Sequence, residues 1–170
     1  MAKDSEEICV NPLKIRASEG LQDFLAITLC SLIILGASNL RVPFYPVPFT
    51  MQTFAVVAVS IFAGRRRALW SLLLFVLMWG MFVPTGGYIL GFFAVPFIVG
   101  NGALKLSNFH LLVRIFCSHI LILAIGAAVL AYFLGLKAAF ISGFLFFIPS
   151  GICKGMISFA LACGARKFFK

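Results

Sequence analysis

Downstream of Asp23 the chain carries no carboxylate side chain, because all five acidic residues (Asp4, Glu6, Glu7, Glu19 and Asp23) precede residue 24. A proton relay through buried carboxylates, a hydrolase built on two carboxyl groups and an acidic cation site all need groups that 24–170 lacks. Histidine is also scarce. His110 and His119 stand nine positions apart, beyond the i, i+4 spacing of a helical metal pair, so neither is assigned a site and a packing or surface role is expected. The cysteines (Cys9, Cys30, Cys117, Cys153 and Cys163) are odd in number and show no CxxC spacing. They read as small apolar packing residues, with no disulfide framework and no zinc site. No Walker motif is present, so no ATP hydrolysis is expected of the chain itself.

Charge of either sign is rare too. Charged residues make up 11% of the 170 positions and hydrophobic residues 62%, against about 25% and roughly 45–50% in soluble domains. With a mean hydropathy of +1.10, the composition is that of an integral membrane protein. Spans of about 20 apolar residues cross a ~30 Å hydrocarbon core, so this length accommodates about six helices with no soluble domain beside them. The net charge of +9 would suggest nucleic acid in a soluble protein. Here the basic residues lie at span ends, where they set orientation and meet anionic lipid, and no nucleic-acid partner is expected.

Apolar runs and their breaks predict an all-α bundle of six transmembrane helices at 21–40, 50–64, 68–83, 87–104, 111–134 and 150–168, preceded by a polar cytoplasmic segment at 1–20. Ser18 lies just before the first helix and Pro48 near the start of the second. The apolar run at 138–148 is short and reads as a partly buried connection. The opening segment MAKDSEEICVNPLKIRASEG is mixed in charge, unlike the basic start of a cleavable signal, so the first span is expected to be retained. With the termini inside, Lys3, Lys14, Arg16, the triple Arg65 to Arg67, Lys105, Arg114, Arg166, Lys167 and Lys170 all fall on the inner face. Only Arg41 and Lys137 fall outside, as the positive-inside rule requires.

In that topology the outer connections are RVPFYPVPFTMQT, VPTGGY and FFIPSGICK, each apolar and broken by proline or glycine, whereas the inner ones, GRRR and KLSNFH, are charged or polar. Irregular backbone at membrane depth is tolerated only where it is buried in protein or lines a cavity. The helix expected at 50–64 rises only about 22 Å at 1.5 Å per residue. Three broken segments at the outer ends of short helices therefore predict an outward-opening cavity.

Candidate ligand residues follow from those segments. Lys154 is the one charged side chain well inside an apolar segment. A lysine at membrane depth costs at least ~2.5 kcal/mol on insertion scales and faces a cavity or a partner, unless it snorkels to the headgroups. Pro84, Thr85, Gly86, Gly87 and Tyr88 form a loop in which paired glycines let backbone approach a ligand; a plain turn is the alternative. Tyr88 suits a pocket or an interfacial aromatic belt equally. Thr50 and Gln52 follow the first loop, where Gln52 bonds either ligand or neighbouring backbone. On the first helix, Ala26 and Cys30, with Ser31, Gly36 and Ala37, make a small-residue stripe that serves the bundle's own packing or a partner membrane protein.

The segments PVPFTMQTFAVVAVSIFAGRRRALWSLLLFVL, PTGGYILGFFAVPFIVG and FFIPSGICKG, in that order, resemble the BioY family, the biotin-specific S components of energy-coupling-factor (ECF) vitamin transporters. In that family VPxTxQT is followed by LLGxRRG, then GPTGGYLxGF, then PGDxxK opening the last helix. The resemblance implies a six-helix S-component bundle that captures biotin in an outward-facing pocket. It also implies a membrane-embedded coupling subunit and two ABC ATPase subunits as partners, a bacterial inner membrane as location, and no enzymatic activity or cofactor. Ala26 and Cys30 would then face the coupling subunit. The PGDxxK aspartate falls at Gly151, so a carboxylate for biotin's ureido nitrogens is replaced by glycine, while the lysine persists as Lys154. The loop usually preceding GPTGGY is shortened. Lys154 is expected to contact the ureido oxygen or the valerate carboxylate.

That departure motivates a second reading, the same fold serving another small carboxylated or heterocyclic vitamin. An intramembrane acyl or phosphatidyl transferase would need a nucleophile with its base or a metal cluster, which these residues do not supply. A channel or purely structural role would leave the pocket empty.

Overall fold

The computed structural model describes residues 12–43, 45, 47–79 and 86–168, with the side chains of 12–19 and 168 outside the description. Among these residues the chain is a helical bundle. Helix α1 (Pro12–Asn39) leads into a two-stranded antiparallel pair, β1 (Arg41–Val42) and β2 (Phe49–Thr50), in which Arg41 faces Thr50 and Val42 faces Phe49. Then come α2 (Gln52–Trp79), α3 (Gly86–Phe92), α4 (Val95–Val99) and α5 (Asn108–Leu134), with a single 3-10 turn at Ala103–Lys105. A short α6 (Leu136–Ala139), a π turn (Phe140–Phe144) and a 3-10 turn (Leu145–Phe147) run without a break into α7 (Ile148–Phe168).

Several expectations are corrected. The first helix starts at Pro12 rather than 21, which places Ser18 inside it. The third outer connection, FFIPSGICK, is not a loop: a π turn and a 3-10 turn carry the helical path from Phe140 to Ile148, distorted at Phe144 (φ −115°, ψ −63°), and Pro149 sits in the first turn of α7. The run at 138–148 is thus a distorted helical extension of α7. The fourth helix is split into α3 and α4 by a turn at 93–94.

The GRRR break is a kink without a loop. Gly64 adopts φ 81° and ψ 169°, a conformation open to glycine, and divides α2 into two arms. The N–H that the kink frees at Arg65 donates to Gly100 O at 3.0 Å. Gly100 permits that approach, since a Cβ on it would lie 2.8 Å from Arg65 N. Counting the arms of α2 separately, and α3 with α4 as one leg, the described residues form six helical legs. Three helical stretches, Gly20–Asn39, Asn108–Leu134 and Leu136–Lys167, are long and apolar enough to cross a membrane, and Gly86–Val99 is a shorter apolar one.

Helix α5 is the organising element. Ser107 caps it by accepting from His110 N. Its buried residues Leu111, Ile115, Ser118, Ile122, Gly126 and Leu130 recur at helical spacing and face α3 and α7. Gly126 lies flat against the ring of Tyr88, and a Cβ on Gly91 would lie 3.0 Å from Ile122 Cα, so α3 packs on α5 backbone to backbone. The opposite surfaces expose Leu25, Leu29, Leu73, Ile120 and Leu161, as lipid-facing surfaces do.

One end of the bundle is closed by arginines. Arg67 pairs with Asp23 at 2.6 Å, Arg65 stands 5.6 Å from the centroid of Phe97, and Arg114 donates to Ile98 O at 3.3 Å. Arg166 bonds Asn108 Oδ1 and Ala103 O, each at 2.8 Å.

Gly64→Ala places a Cβ in left-handed backbone and is expected to lower stability by about 1–2 kcal/mol. Gly20→Ala, at a helical glycine with open space around it, is expected to be neutral or stabilising by about 0.5–1 kcal/mol. Thermal unfolding of the two variants in one detergent checks the contrast, and equal melting temperatures would contradict the kink's role.

Candidate functional site

At the end opposite the arginines the legs part around a cavity of about 530 Å³, within the range of small-molecule pockets. Its wall is drawn from every leg. The end of α1 and strand β1 give Ser38 and Arg41, and the entry to α2 gives Val47, Pro48, Thr50, Gln52 and Thr53. Trp79 closes the far arm of α2, and α3 contributes Tyr88, Ile89 and Phe92. From α5 come His119, Ile122 and Leu123, and from the last leg Phe147, Gly151 and Lys154.

Most of the wall is apolar and aromatic. Phe147 stacks on Phe49 with centroids 4.4 Å apart and lies 6.0 Å from Tyr88. Tyr88 is buried, and its hydroxyl donates to Gly143 O at 2.7 Å, so it is a pocket residue rather than part of a headgroup belt. Its phenol pins α3 to the π turn while its ring forms wall.

The polar groups are few and buried. Lys154 is only 8% exposed, and its ammonium donates to Thr50 O at 2.6 Å, which rules out snorkelling. An ammonium has three donors, and no carboxylate pairs with it among the described residues. Gln52 is buried, and its Nε2 finds no partner among the described residues. His119 is buried with Nδ1 3.0 Å from Ile115 O, and its Nε2 is also unpartnered.

Of the residues singled out by sequence, the fold brings Lys154, Gly151, Tyr88, Thr50 and Gln52 onto one cavity. Pro84 and Thr85 lie outside the described residues. Gly86 and Gly87 open α3 but are not on the wall. Gly87 faces α5, where a Cβ would come within 2.5 Å of Val129 Cβ. Ala26 and Cys30 are half-buried on α1, Cys30 against the core, with Ser31 and Ala37 of the same stripe fully turned into the bundle.

Sequence reasoning missed His119, Arg41, Trp79 and Phe147 as wall residues. Arg41 counted only as a topology signal, and the histidines, too far apart for a metal pair, were expected in packing or surface roles. No group of three or more metal-ligating side chains occurs among the described residues.

The BioY family model matches residues 10–84 and 79–170. The chain is 29% identical over 152 residues to a probable biotin transporter BioY of Rickettsia prowazekii (strain Madrid E), covering 79% of this chain and 78% of the relative. It is 27% identical over 154 residues to a biotin transporter BioY of Thermotoga maritima, covering 81% and 90%. The crystal structure of an S-component for biotin from an ECF-type ABC transporter superposes with a TM-score of 0.75 at 20% identity, over 88% of this chain and 93% of that one. The fold is therefore that of an S component.

Tyr88→Phe keeps the ring but leaves the buried Gly143 carbonyl without its donor. It is expected to lower stability by about 1–3 kcal/mol, read as a fall in melting temperature; an unchanged melt would show that the bond contributes nothing.

Proposed function

Because the chain belongs to the BioY family, we propose that it is the substrate-capture (S) subunit of a biotin uptake transporter, holding biotin in the cavity around Lys154. The observation that carries this reading is a buried ammonium on the wall of a largely apolar, vitamin-sized hollow, with the Thr50 carbonyl as its one hydrogen-bond partner among the described residues. Biotin matches such a wall: a fused bicycle with a polar urea edge, an apolar thioether ring and an acidic tail. The bicycle lies against Trp79, Phe92 and Phe147. The deep donors Lys154 Nζ and Gln52 Nε2 face the ureido oxygen, and Arg41, exposed at the cavity's edge, takes the valerate carboxylate.

The chain is a multi-pass membrane protein and not an enzyme. An S component works with partner subunits. We assign these as a coupling transmembrane subunit and two ABC-type ATPases, which supply the energy, with Ala26 and Cys30 on α1 lying along the coupling contact. The arginine-closed end, with both termini, lies in the cytoplasm of a bacterial cell and the cavity opens outward, as the distribution of basic residues supports.

Labelled-biotin uptake by cells expressing the chain with the coupling and ATPase subunits is expected to exceed uptake without them; no uptake in either case would remove the assignment. Titration of the purified protein with a vitamin panel should rank biotin first, and tighter binding of another carboxylated or heterocyclic vitamin would transfer the fold to that substrate.

Lys154→Met keeps an unbranched stem but removes the donor. It is expected to weaken biotin by about 10-fold to 100-fold in calorimetric titration. Unchanged affinity would take Lys154 out of the site.

A further inference from the structure

We infer that His119 is a specificity-determining residue of this pocket, and that its bare Nε2 accepts a hydrogen bond from a ureido N–H of the substrate. The inference deepens the biotin reading and rests on it.

The tautomer follows from the fold. His119 Nδ1 lies 3.0 Å from Ile115 O, one turn back along α5. A carbonyl oxygen can only accept, so Nδ1 carries the hydrogen, and in a neutral imidazole that leaves Nε2 as a lone-pair acceptor. The residue is 5% exposed, lies on the cavity wall, and finds no donor for Nε2 among the described residues. An acceptor buried in that way is costly unless something in the cavity supplies a hydrogen.

The ring packs beside the last leg on the cavity wall. Gly151 lies alongside it: a Cβ there would sit 3.9 Å from His119 Cδ2, the ring carbon next to Nε2. Lys154 is on the same helix as Gly151, one turn further on, and α5 packs against α7 along this line. An acceptor on α5 and a donor on α7 thus share one cavity wall, with Gln52 Nε2 as a second donor there.

A cyclic urea presents the complement of that set, one carbonyl acceptor flanked by N–H donors. A carboxylate, a thioether or an alkyl chain offers no hydrogen to a bare imidazole nitrogen. His119 thus selects for a ligand with an N–H at its deep end and orients biotin bicycle-first, with the tail toward Arg41.

The experiment uses the full chain in detergent or nanodiscs, titrated with biotin, with biotin methylated at one or the other ureido nitrogen, and with biotin methyl ester. His119→Leu is expected to weaken biotin by about 10-fold, and His119→Gln, whose side-chain carbonyl restores an acceptor, to stay within about 3-fold of wild type. One of the N-methyl analogues should bind wild type about 10-fold more weakly than biotin and lose that penalty on His119→Leu, while the ester's penalty stays the same on both proteins.

Equal affinity of wild type and His119→Leu for biotin would overturn the inference. So would an equal loss for biotin, both N-methyl analogues and the ester, accompanied by a lower melting temperature, since that marks a packing role. If His119→Leu does not fold, His119→Gln and the pair of N-methyl analogues on wild type still decide: tolerance of methylation at both nitrogens refutes the contact. Absence of biotin binding by wild type itself would instead refute the substrate assignment on which the inference stands.

Discussion

The arrangement of the open end depends on the 2.6 Å bond from Lys154 Nζ to Thr50 O, between residues 104 positions apart in sequence. An ammonium cannot be left bare at membrane depth, and no carboxylate follows Asp23, so the compensating charge has to come from backbone dipoles or from a ligand. The carbonyl that answers it belongs to β2, paired through Thr50 with Arg41 on β1. One bond thereby ties the first turns of α7 to the hairpin that bounds the cavity and to the entry of α2. Loss of this bond would remove one tie between α7 and the hairpin at the cavity's edge.

The two ends of the bundle use cations in opposite ways. At the closed end, Arg67, Arg65, Arg114 and Arg166 each meet a protein partner: a carboxylate, a ring, a backbone carbonyl, and an amide with a carbonyl. Guanidinium suits this work, because its planar fork bonds two acceptors at once, as Arg166 does. At the open end a lysine is used, a compact charge with three rotatable donors of which Thr50 takes one. The arginines of the closed end hold the legs together through their protein partners, whereas the lysine of the open end keeps donors to spare for a guest. The kink at Gly64 serves the same division, since Arg65 N–H bonds Gly100 O at the closed end and lets the two arms of α2 reach the cavity as separate walls, through Gln52 and Trp79.

What was legible in the sequence was what composition and local breaks encode. Charge scarcity gave the membrane class, and an isolated lysine in an apolar run gave Lys154. The polar Gln52 and the aromatic Tyr88 beside broken segments gave two further wall residues. The misses have physical causes. Proline and glycine in FFIPSGICK read as a break, but a proline in a helix's first turn forfeits nothing, and a π turn followed by a 3-10 turn absorbs the irregularity without leaving the helical path. The paired glycines of PTGGY read as approach to a ligand, whereas Gly87 is small because α5 is close. His119 carried one local signal, an ionisable ring in the middle of an expected span, but its relation to Gly151 and Lys154 exists only once α5 and α7 are packed.

The unpartnered groups also bear on energetics. A buried donor or acceptor without a mate costs about 1–3 kcal/mol, and Gln52 Nε2 and His119 Nε2 both stand in this position on one wall. A core optimised for stability alone would replace such groups by apolar side chains of similar shape, which is often neutral or favourable. On the proposed reading, these two groups carry an unfavourable term at the cavity that a complementary guest relieves. That relief adds to binding free energy without any new apolar area. It also falls only to ligands whose hydrogen-bonding edge matches, because a guest that fills the volume but leaves Nε2 of His119 bare keeps the penalty. Selectivity and affinity then share one origin in polar groups held rigidly on packed helices, and the apolar wall of Trp79, Phe92 and Phe147 supplies retention that is largely indifferent to the ligand's identity.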